Sequence, residues 1–214
     1  MTGGAVREKG LRLFVVLGQT ATASPDFLLD DLPGSSGRLD VLLRCVRAAL
    51  LYSHGLRSDV RVYLVLRGGS FAPRVLRVDS KDARFIRPDE RSLALLVKKT
   101  LAAAPDDLGS TFVELRPGIA LARGDLECVL ADLCGAALYV LDEQAPDISS
   151  LELGGDHAAA YFLGDHLGIV PADRDRLAAL GATALSIGPV SLHSDDVVAV
   201  LSNQLDRLDA LTGA

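Results

Sequence analysis

Apolar residues along this chain follow two alternating rhythms. Short unbroken or period-two runs give way repeatedly to stretches in which Leu, Val and Ala return every three or four residues. The first run, 11–17 (Leu-Arg-Leu-Phe-Val-Val-Leu), stops at Gly18 and reads as a buried strand. A segment dense in Gly, Pro and Ser at 32–37 predicts tight turns. From 38 to 54 the spacing is helical, with Leu39, Leu42, Leu43, Val46, Ala49 and Leu50 on one stripe and Gly55 as the stop. A second strand follows at 60–66, and the more polar 68–87 segment predicts a short hairpin. Pro88-Asp89-Glu90-Arg91-Ser92 opens a helix to about 104, with acids in the first turn and Lys98 and Lys99 near the end, as the helix dipole favours. Further strands are predicted at 112–115, 138–141, 159–163 and 183–187, and further helices at 124–133, 172–180 and 194–211. The last helix carries Val197, Val198, Leu201, Leu205, Leu208 and Leu211 at helical spacing. A stripe that wide predicts that part of it faces a partner subunit. The strand–helix alternation predicts an α/β fold, a mainly parallel sheet with helices on both faces.

Three strands of the last third end in residues suited to ligand binding. Leu138-Tyr139-Val140-Leu141 runs into Asp142-Glu143, Phe162-Leu163 into Gly164-Asp165-His166, and Ser186-Ile187 into Gly188-Pro189-Val190-Ser191-Leu192. Open α/β sheets bind ligands at the carboxyl ends of their strands, and glycine lets backbone approach a ligand closely. One small-molecule site built of loops is the expectation.

Composition narrows the class. The chain has 214 residues, 49% of them hydrophobic, enough for a core without disulfides or metals. One domain at 11–214 behind a flexible tail at 1–10 is expected, with no internal repeat. The three cysteines, Cys45, Cys128 and Cys134, are odd in number and lie in helical patterns, which fits a reducing compartment. Residues 1–10 do not read as a signal peptide, and no apolar run nears the ~20 residues of a membrane span. A soluble, cytoplasmic protein is expected. The chain lacks GxGxxG, GxxxxGK[ST] and GxSxG motifs. The spacing of Asp156, His157, Asp165 and His166 fits no HExxH or zinc-finger pattern, so no metal is expected. Ser194 and Asp195 read as the cap of the last helix.

Charge is unevenly distributed. Residues 1–100 carry 17 Lys/Arg against 10 Asp/Glu, and residues 101–214 carry 5 against 18, for a net −6. A basic half can serve a polyanion, because local field steers a partner more than net charge does. The excess of Arg over Lys, 18 to 4, leaves open a purely compositional origin.

The ordered set Leu32-Pro33-Gly34-Ser35-Ser36-Gly37-Arg38-Leu39-Asp40, Ser53-His54-Gly55-Leu56-Arg57, Pro88 through Ser92, Leu163-Gly164-Asp165-His166, and Ser186 through His193 resembles the archaeal tRNA pseudouridine-54 N1-methyltransferase family of the SPOUT superfamily. The resemblance runs from about residue 11 to the end. It implies a C-terminal deep trefoil knot at about 136–214, a homodimer, and S-adenosylmethionine bound by the knot loops. Matched residue by residue, the cofactor contacts are Leu141, Gly164, Ile187, Gly188, Pro189, Val190, Ser191 and Leu192, with Val197 where the family carries a cysteine. The implied reaction is N1 methylation of a pseudouridine in structured RNA, tRNA foremost. The alternative is a catalytically weak RNA-binding or S-adenosylmethionine-sensing module that keeps the fold.

Arg38 and Asp40 are the catalytic candidates, because related ribosomal enzymes carry an Arg-x-Asp at the RNA side of the site. Asp40 is expected to accept the N1 proton or to orient the base. Asp40, Arg44 and Arg47 also fall on one helix face, where an i,i+4 ion pair explains Asp40 and Arg44 by themselves. The chain departs from the family's pattern at Gln19, where the family has His, and at Asp196 and Val197, where it has His-Cys.

Overall fold

The computed structural model describes residues 10–84, 86–133, 135–150 and 157–212. Residues 1–9 of the expected tail, Cys134 and Asp156 lie outside that set. In chain order the elements are β1 (Arg12–Thr22), α1 (Leu32–Ser35), α2 (Leu39–Leu50), β2 (Leu51–Tyr52), β3 (Gly55–Leu56), β4 (Val60–Gly68), β5 (Arg74–Asp79), α3 (Glu90–Ala102), β6 (Val113–Arg116), β7 (Ile119–Arg123), α4 (Leu126–Asp132), β8 (Ala137–Leu141), β9 (Ala159–Gly164), α5 (Pro171–Ala179), β10 (Thr183–Leu185) and α6 (Ser194–Thr212).

Eight strands form one sheet in the order β10-β8-β9-β1-β4-β5-β7-β6. The five from β10 to β4 are parallel, and β5, β7 and β6 add an antiparallel edge. Alternation along β1 divides the core, since successive strand residues face opposite sides. Phe14 and Val16 join Leu39, Leu42, Val46, Leu93 and Val198 on one face. Leu13, Val15 and Leu17 join Leu126, Val129 and Leu177 on the other. Helices α2, α3 and α6 thus cover one side, and α4 and α5 the other.

Several elements depart from the sequence pattern. β1 does not stop at Gly18 but continues to Thr22. A Cβ on Gly18 would lie 2.7 Å from Leu42 Cδ2 and 3.0 Å from the Val65 carbonyl, so this glycine admits α2 rather than ending the strand. The 32–37 turns contain one helical turn, α1, capped by the Asp31 carboxylate accepting from Gly34 N–H. α2 ends at Leu50, and 51–56 forms a small antiparallel ribbon instead of a last helical turn. β7 carries no strand expectation at all. It is a five-residue Ile-Ala-Leu-Ala-Arg run between Gly118 and Gly124.

The charge asymmetry resolves into intramolecular pairs. Arg12, 4% exposed, meets Asp206 at 2.7 Å, Asp209 at 2.6 Å and Asp59 at 3.4 Å. Arg57 pairs with Asp206, Arg67 with Asp125 and Asp173, and Arg77 with Asp132. Basic residues of the first half are thus held by acids of the second. Removing Arg12 leaves carboxylates without their buried partner, so Arg12→Ala should lower the unfolding free energy by about 3 kcal/mol in urea titrations. Burial raises the Asp206 carboxyl, but hydrogen bonds from Arg57 and Arg12 outweigh it and bring its pKa down to about 2. A depressed folded pKa stabilises above the ordinary value of about 4. That contribution should fade as pH falls from about 4 through about 2, and Asp206→Asn should flatten the stability profile in that window.

The α6 stripe is mostly used within the subunit. Val198, Leu201 and Leu205 are buried as α6 packs on α2, while Leu211 is 84% exposed. The stripe therefore gives no independent reason for a partner. Beyond β8 the chain crosses the sheet edge: Asp142 N–H donates to Leu185 O, but Ser186 N–H donates to Pro146 O and Ile148 N–H to Ser186 O. Residues 146–148 thus lie on the edge of β10 away from β8, before the chain returns to β9 on the far side of β8.

Candidate functional site

A cavity of about 470 Å³ opens at the carboxyl ends of β8, β9 and β10, a size typical of small-molecule sites. Leu141, Gly164, Ile187 and Gly188 line it, with Val190, Leu192 and Val197. Seven of the nine expected cofactor contacts are therefore brought together from four separate segments. Pro189 and Ser191 share the 186–193 loop but do not line the cavity. Ser191 instead hydrogen-bonds Glu143 at 2.5 Å, tying that loop to the one after β8.

The loops are held by short polar bridges. The Ser186 hydroxyl donates to Gly188 O at 2.9 Å and accepts from Gly188 N–H at 3.2 Å, closing the turn after β10. Ser194 donates its hydroxyl to Gly164 O at 2.8 Å, so it fastens α6 to β9; this, rather than a cap, is the bond its side chain makes. Asp165, 5% exposed, accepts from Gln19 N–H and Leu167 N–H, each at 2.8 Å. Gln19 also donates to Gly168 O at 3.3 Å and accepts from Arg67. The 165–168 turn folds back so tightly that a Cβ on Gly164 would lie 2.2 Å from the Gly168 carbonyl carbon. Gly164→Val should therefore break the turn and lower the melting temperature in calorimetry, rather than merely fill the cavity.

Lining residues that the sequence reading does not single out are Gln144, Gly168, Ile169 and Arg174, while Asp142, Glu143 and Asp165 line it as the strand-end residues expected. Asp142 and Glu143 end the β8 run in the sequence, a placement that by itself marks them as strand-end residues. Arg174 comes from α5 and pairs with Asp142, a long-range contact with no local signal. The backbone N–H of Gln144 and then the Arg174 charge hold the Asp142 carboxyl below its ordinary value.

Arg38 and Asp40 stand outside the cavity lining, Arg38 at the end of the loop before α2 and Asp40 in the first turn of α2. Arg38 caps α2 in the left-handed region, φ 66° and ψ 33°, a conformation costing a non-glycine residue about 1 kcal/mol. It is fixed from both sides: Thr22 N–H donates to Ser36 O, Thr20 Oγ1 to Gly37 O, and Leu39 N–H to Ser36 Oγ. Strain held in place this way is a mark of functional sites. The Arg38 guanidinium grips Asp40 through two bonds of 3.0 and 3.2 Å, and Arg44 adds a third at 3.0 Å. Arg44 also reaches Asp195 at the start of α6, at 3.7 Å. The i,i+4 pair is thus real, while Arg47 is exposed and apart from it.

Asp40 is 2% exposed. Burial would raise its pKa, but the hydrogen bonds and charges of Arg38 and Arg44 prevail and lower it. Such a carboxylate is a weak base, so the arrangement suits orientation better than proton removal. The Arg38 side chain is 40% exposed and feels the charge of Asp165 in the cavity wall.

Residues 11–210 match the family model described as "Putative SAM-dependent RNA methyltransferase". The tRNA (pseudouridine(54)-N(1))-methyltransferase of Methanosarcina acetivorans is 39% identical over 95% of this chain and 94% of its own length. The protein of the same name from Methanopyrus kandleri is 41% identical over 92% and 93%. Among solved structures, Archaeoglobus fulgidus Nep1 bound to S-adenosylhomocysteine superposes with a TM-score of 0.60 over 94% of this chain and 99% of that one, at 14% identity, which establishes a shared fold. By sequence over nearly its whole length, this chain belongs to the SAM-dependent RNA methyltransferase family that includes the archaeal tRNA (pseudouridine(54)-N(1))-methyltransferases.

Proposed function

We propose that this protein methylates N1 of pseudouridine 54 in tRNA, using S-adenosylmethionine held in the cavity at the ends of β8, β9 and β10. The convergence of seven expected contacts on that one cavity is the observation that carries the reading. The cavity fits the group. Leu141, Ile187, Val190, Leu192 and Val197 offer apolar walls for a flat ring, and the carboxylates of Asp142, held by Arg174, and of Glu143, held by Ser191, stand along the lining. When bound, the cofactor supplies a methyl group on a sulfonium, a donor that needs little further activation.

The chain's own part is positioning, which can supply much of a transfer rate. The apolar walls exclude water from the donor, and the 165–168 turn fixes one side of the pocket. Arg38, strained and half-exposed next to that turn, presents its guanidinium to the RNA. Asp40 holds Arg38 in place and stays ionised. The N1 proton then leaves to solvent instead of to Asp40. A rate that shows no limb assignable to Asp40 between about pH 5 and 9 would agree with this, whereas a limb removed by Asp40→Asn would make Asp40 the base.

The same reading includes a cytoplasmic homodimer of a single domain at 11–214, knotted at its C-terminal end. The passage of 146–148 around the far edge of β10 supports the knot. Leu167, Val190 and Leu192 are 58%, 68% and 42% exposed by the cavity mouth, and this apolar rim supports an interface there. Light scattering at micromolar concentration should give a dimer mass, and Val190→Asp should shift it toward monomer. A stable wild-type monomer would contradict the assembly.

The reading is tested by isothermal calorimetry with S-adenosylmethionine alongside methyl transfer to tRNA carrying pseudouridine 54. Binding and transfer are both expected. Binding of cofactor and tRNA without transfer would instead favour a module that has kept the fold and lost the reaction.

A further inference from the structure

Most arginines of the first half are held by carboxylates, and one buried exception stands out. Arg74, the first residue of β5, is 6% exposed, yet no carboxylate pairs with it among the described residues. Its Nη1 donates to Ala23 O at 3.2 Å, and its Nε is buried without an acceptor among the described residues. Its register partner on β7 is another cation, Arg123, which is exposed and also without a carboxylate partner among the described residues. Burial and the Arg123 charge both lower the pKa of Arg74. Asp125, two residues beyond Arg123, is already held by Arg67. The Arg74 guanidinium lies 4.7 Å from the ring centroid of Phe71, and Phe71 is 50% exposed at the tip of the β4–β5 loop. A buried guanidinium facing a second one without a counterion is costly, and a bound anion would relieve it. An exposed ring beside a cation pair is the arrangement that takes an unstacked base next to its phosphate.

We propose that Arg74, Arg123 and Phe71 form a second RNA contact, the two guanidiniums taking a backbone phosphate and Phe71 stacking an unpaired base of the same tRNA. The placement follows from the sheet. The order β9-β1-β4-β5 puts three strand spacings between the Gly164 end of β9 and Arg74, about 14 Å at the usual separation of strands. Both sites lie at the same end of the sheet, because β4 and β5 pair antiparallel with Leu66 opposite Arg74. Arg38 stands between them, on the loop leaving β1. An RNA strand with its target base over the cofactor pocket could therefore pass Arg38 and reach Arg74 a few nucleotides away. This inference rests on the RNA methyltransferase reading above.

Fluorescence anisotropy with a tRNA transcript bearing pseudouridine 54, over a salt series, tests it. Arg123→Gln and Phe71→Ala change exposed side chains and should leave S-adenosylmethionine binding by calorimetry unchanged. Arg123→Gln should weaken tRNA binding and make the slope of log affinity against log salt shallower by about one unit. Phe71→Ala should weaken binding by about fivefold or more, and Phe71→Tyr, which keeps the ring, should restore it. Unchanged tRNA affinity and slope in both variants would overturn the second contact alone. Saturable binding of inorganic phosphate, lost in Arg123→Gln with tRNA affinity unchanged, would overturn the RNA assignment in favour of a small-anion site. A wild type that binds S-adenosylmethionine but no tRNA would overturn this contact together with the reading it rests on.

Discussion

Arg38→Ala should lower turnover on pseudouridine-54 tRNA by about 100-fold, the cost of misplacing a reacting group by an ångström or so. Its S-adenosylmethionine affinity should not change, because Arg38 is absent from the cavity lining. Asp40→Asn keeps the size of the side chain but leaves Arg38 and Arg44 beside a neutral amide. Its turnover should fall by a smaller factor, with the tRNA affinity less affected. Single-turnover kinetics at saturating cofactor separate these effects from binding. If Arg38→Ala and Asp40→Asn both react at the wild-type rate, the Arg38–Asp40–Arg44 cluster only braces the start of α2. The strained φ of Arg38 would then serve the loop alone.

Val197→Trp should weaken S-adenosylmethionine binding by tenfold or more, about 1.4 kcal/mol, by filling space that Leu141, Val190 and Leu192 enclose. Val197 is partly exposed on the first turn of α6, so the variant should fold and keep its melting temperature. Gly164→Val makes the informative contrast. There the added carbons meet the Gly168 backbone, so loss of binding would come with loss of stability. Calorimetric titration of both variants, with melting curves, distinguishes a filled pocket from a broken turn. Wild-type affinity in a folded Val197→Trp protein would move the cofactor elsewhere.

The parallel half of the sheet is legible because its strands are buried on both faces and so read as unbroken apolar runs, as at 13–17 and 160–163. α2 and α6 were legible from their stripes, which the core uses directly. What failed was punctuation. Gly18 reads as a strand end, but its role is to admit Leu42 of the crossing helix, a tertiary demand with no local signature. β7 escapes because five residues flanked by glycines carry too little periodicity, although it pairs with its chain neighbour β6 as well as with β5. The loops themselves are legible as strand ends that stop at glycine, and the motif resemblance adds the cofactor; the fold explains both, since Gly164 and Gly188 lie in turns closed by backbone and serine bonds. What local pattern does not show is that Arg174 of α5 reaches Asp142 at the same cavity. The charge split misled for a related reason: sequence shows how many arginines a segment carries, but only the fold shows that Asp206 and Asp173 already hold several of them.

The most direct measurement is methyl transfer from labelled S-adenosylmethionine to two tRNA transcripts, one with pseudouridine and one with uridine at position 54, with nucleoside mass spectrometry of the product. The account predicts one methyl group on N1 of the pseudouridine and none on the uridine transcript. Uridine has a glycosidic bond where pseudouridine has a free N1. Methylation of both transcripts, or of neither by a protein that binds the cofactor, would contradict it.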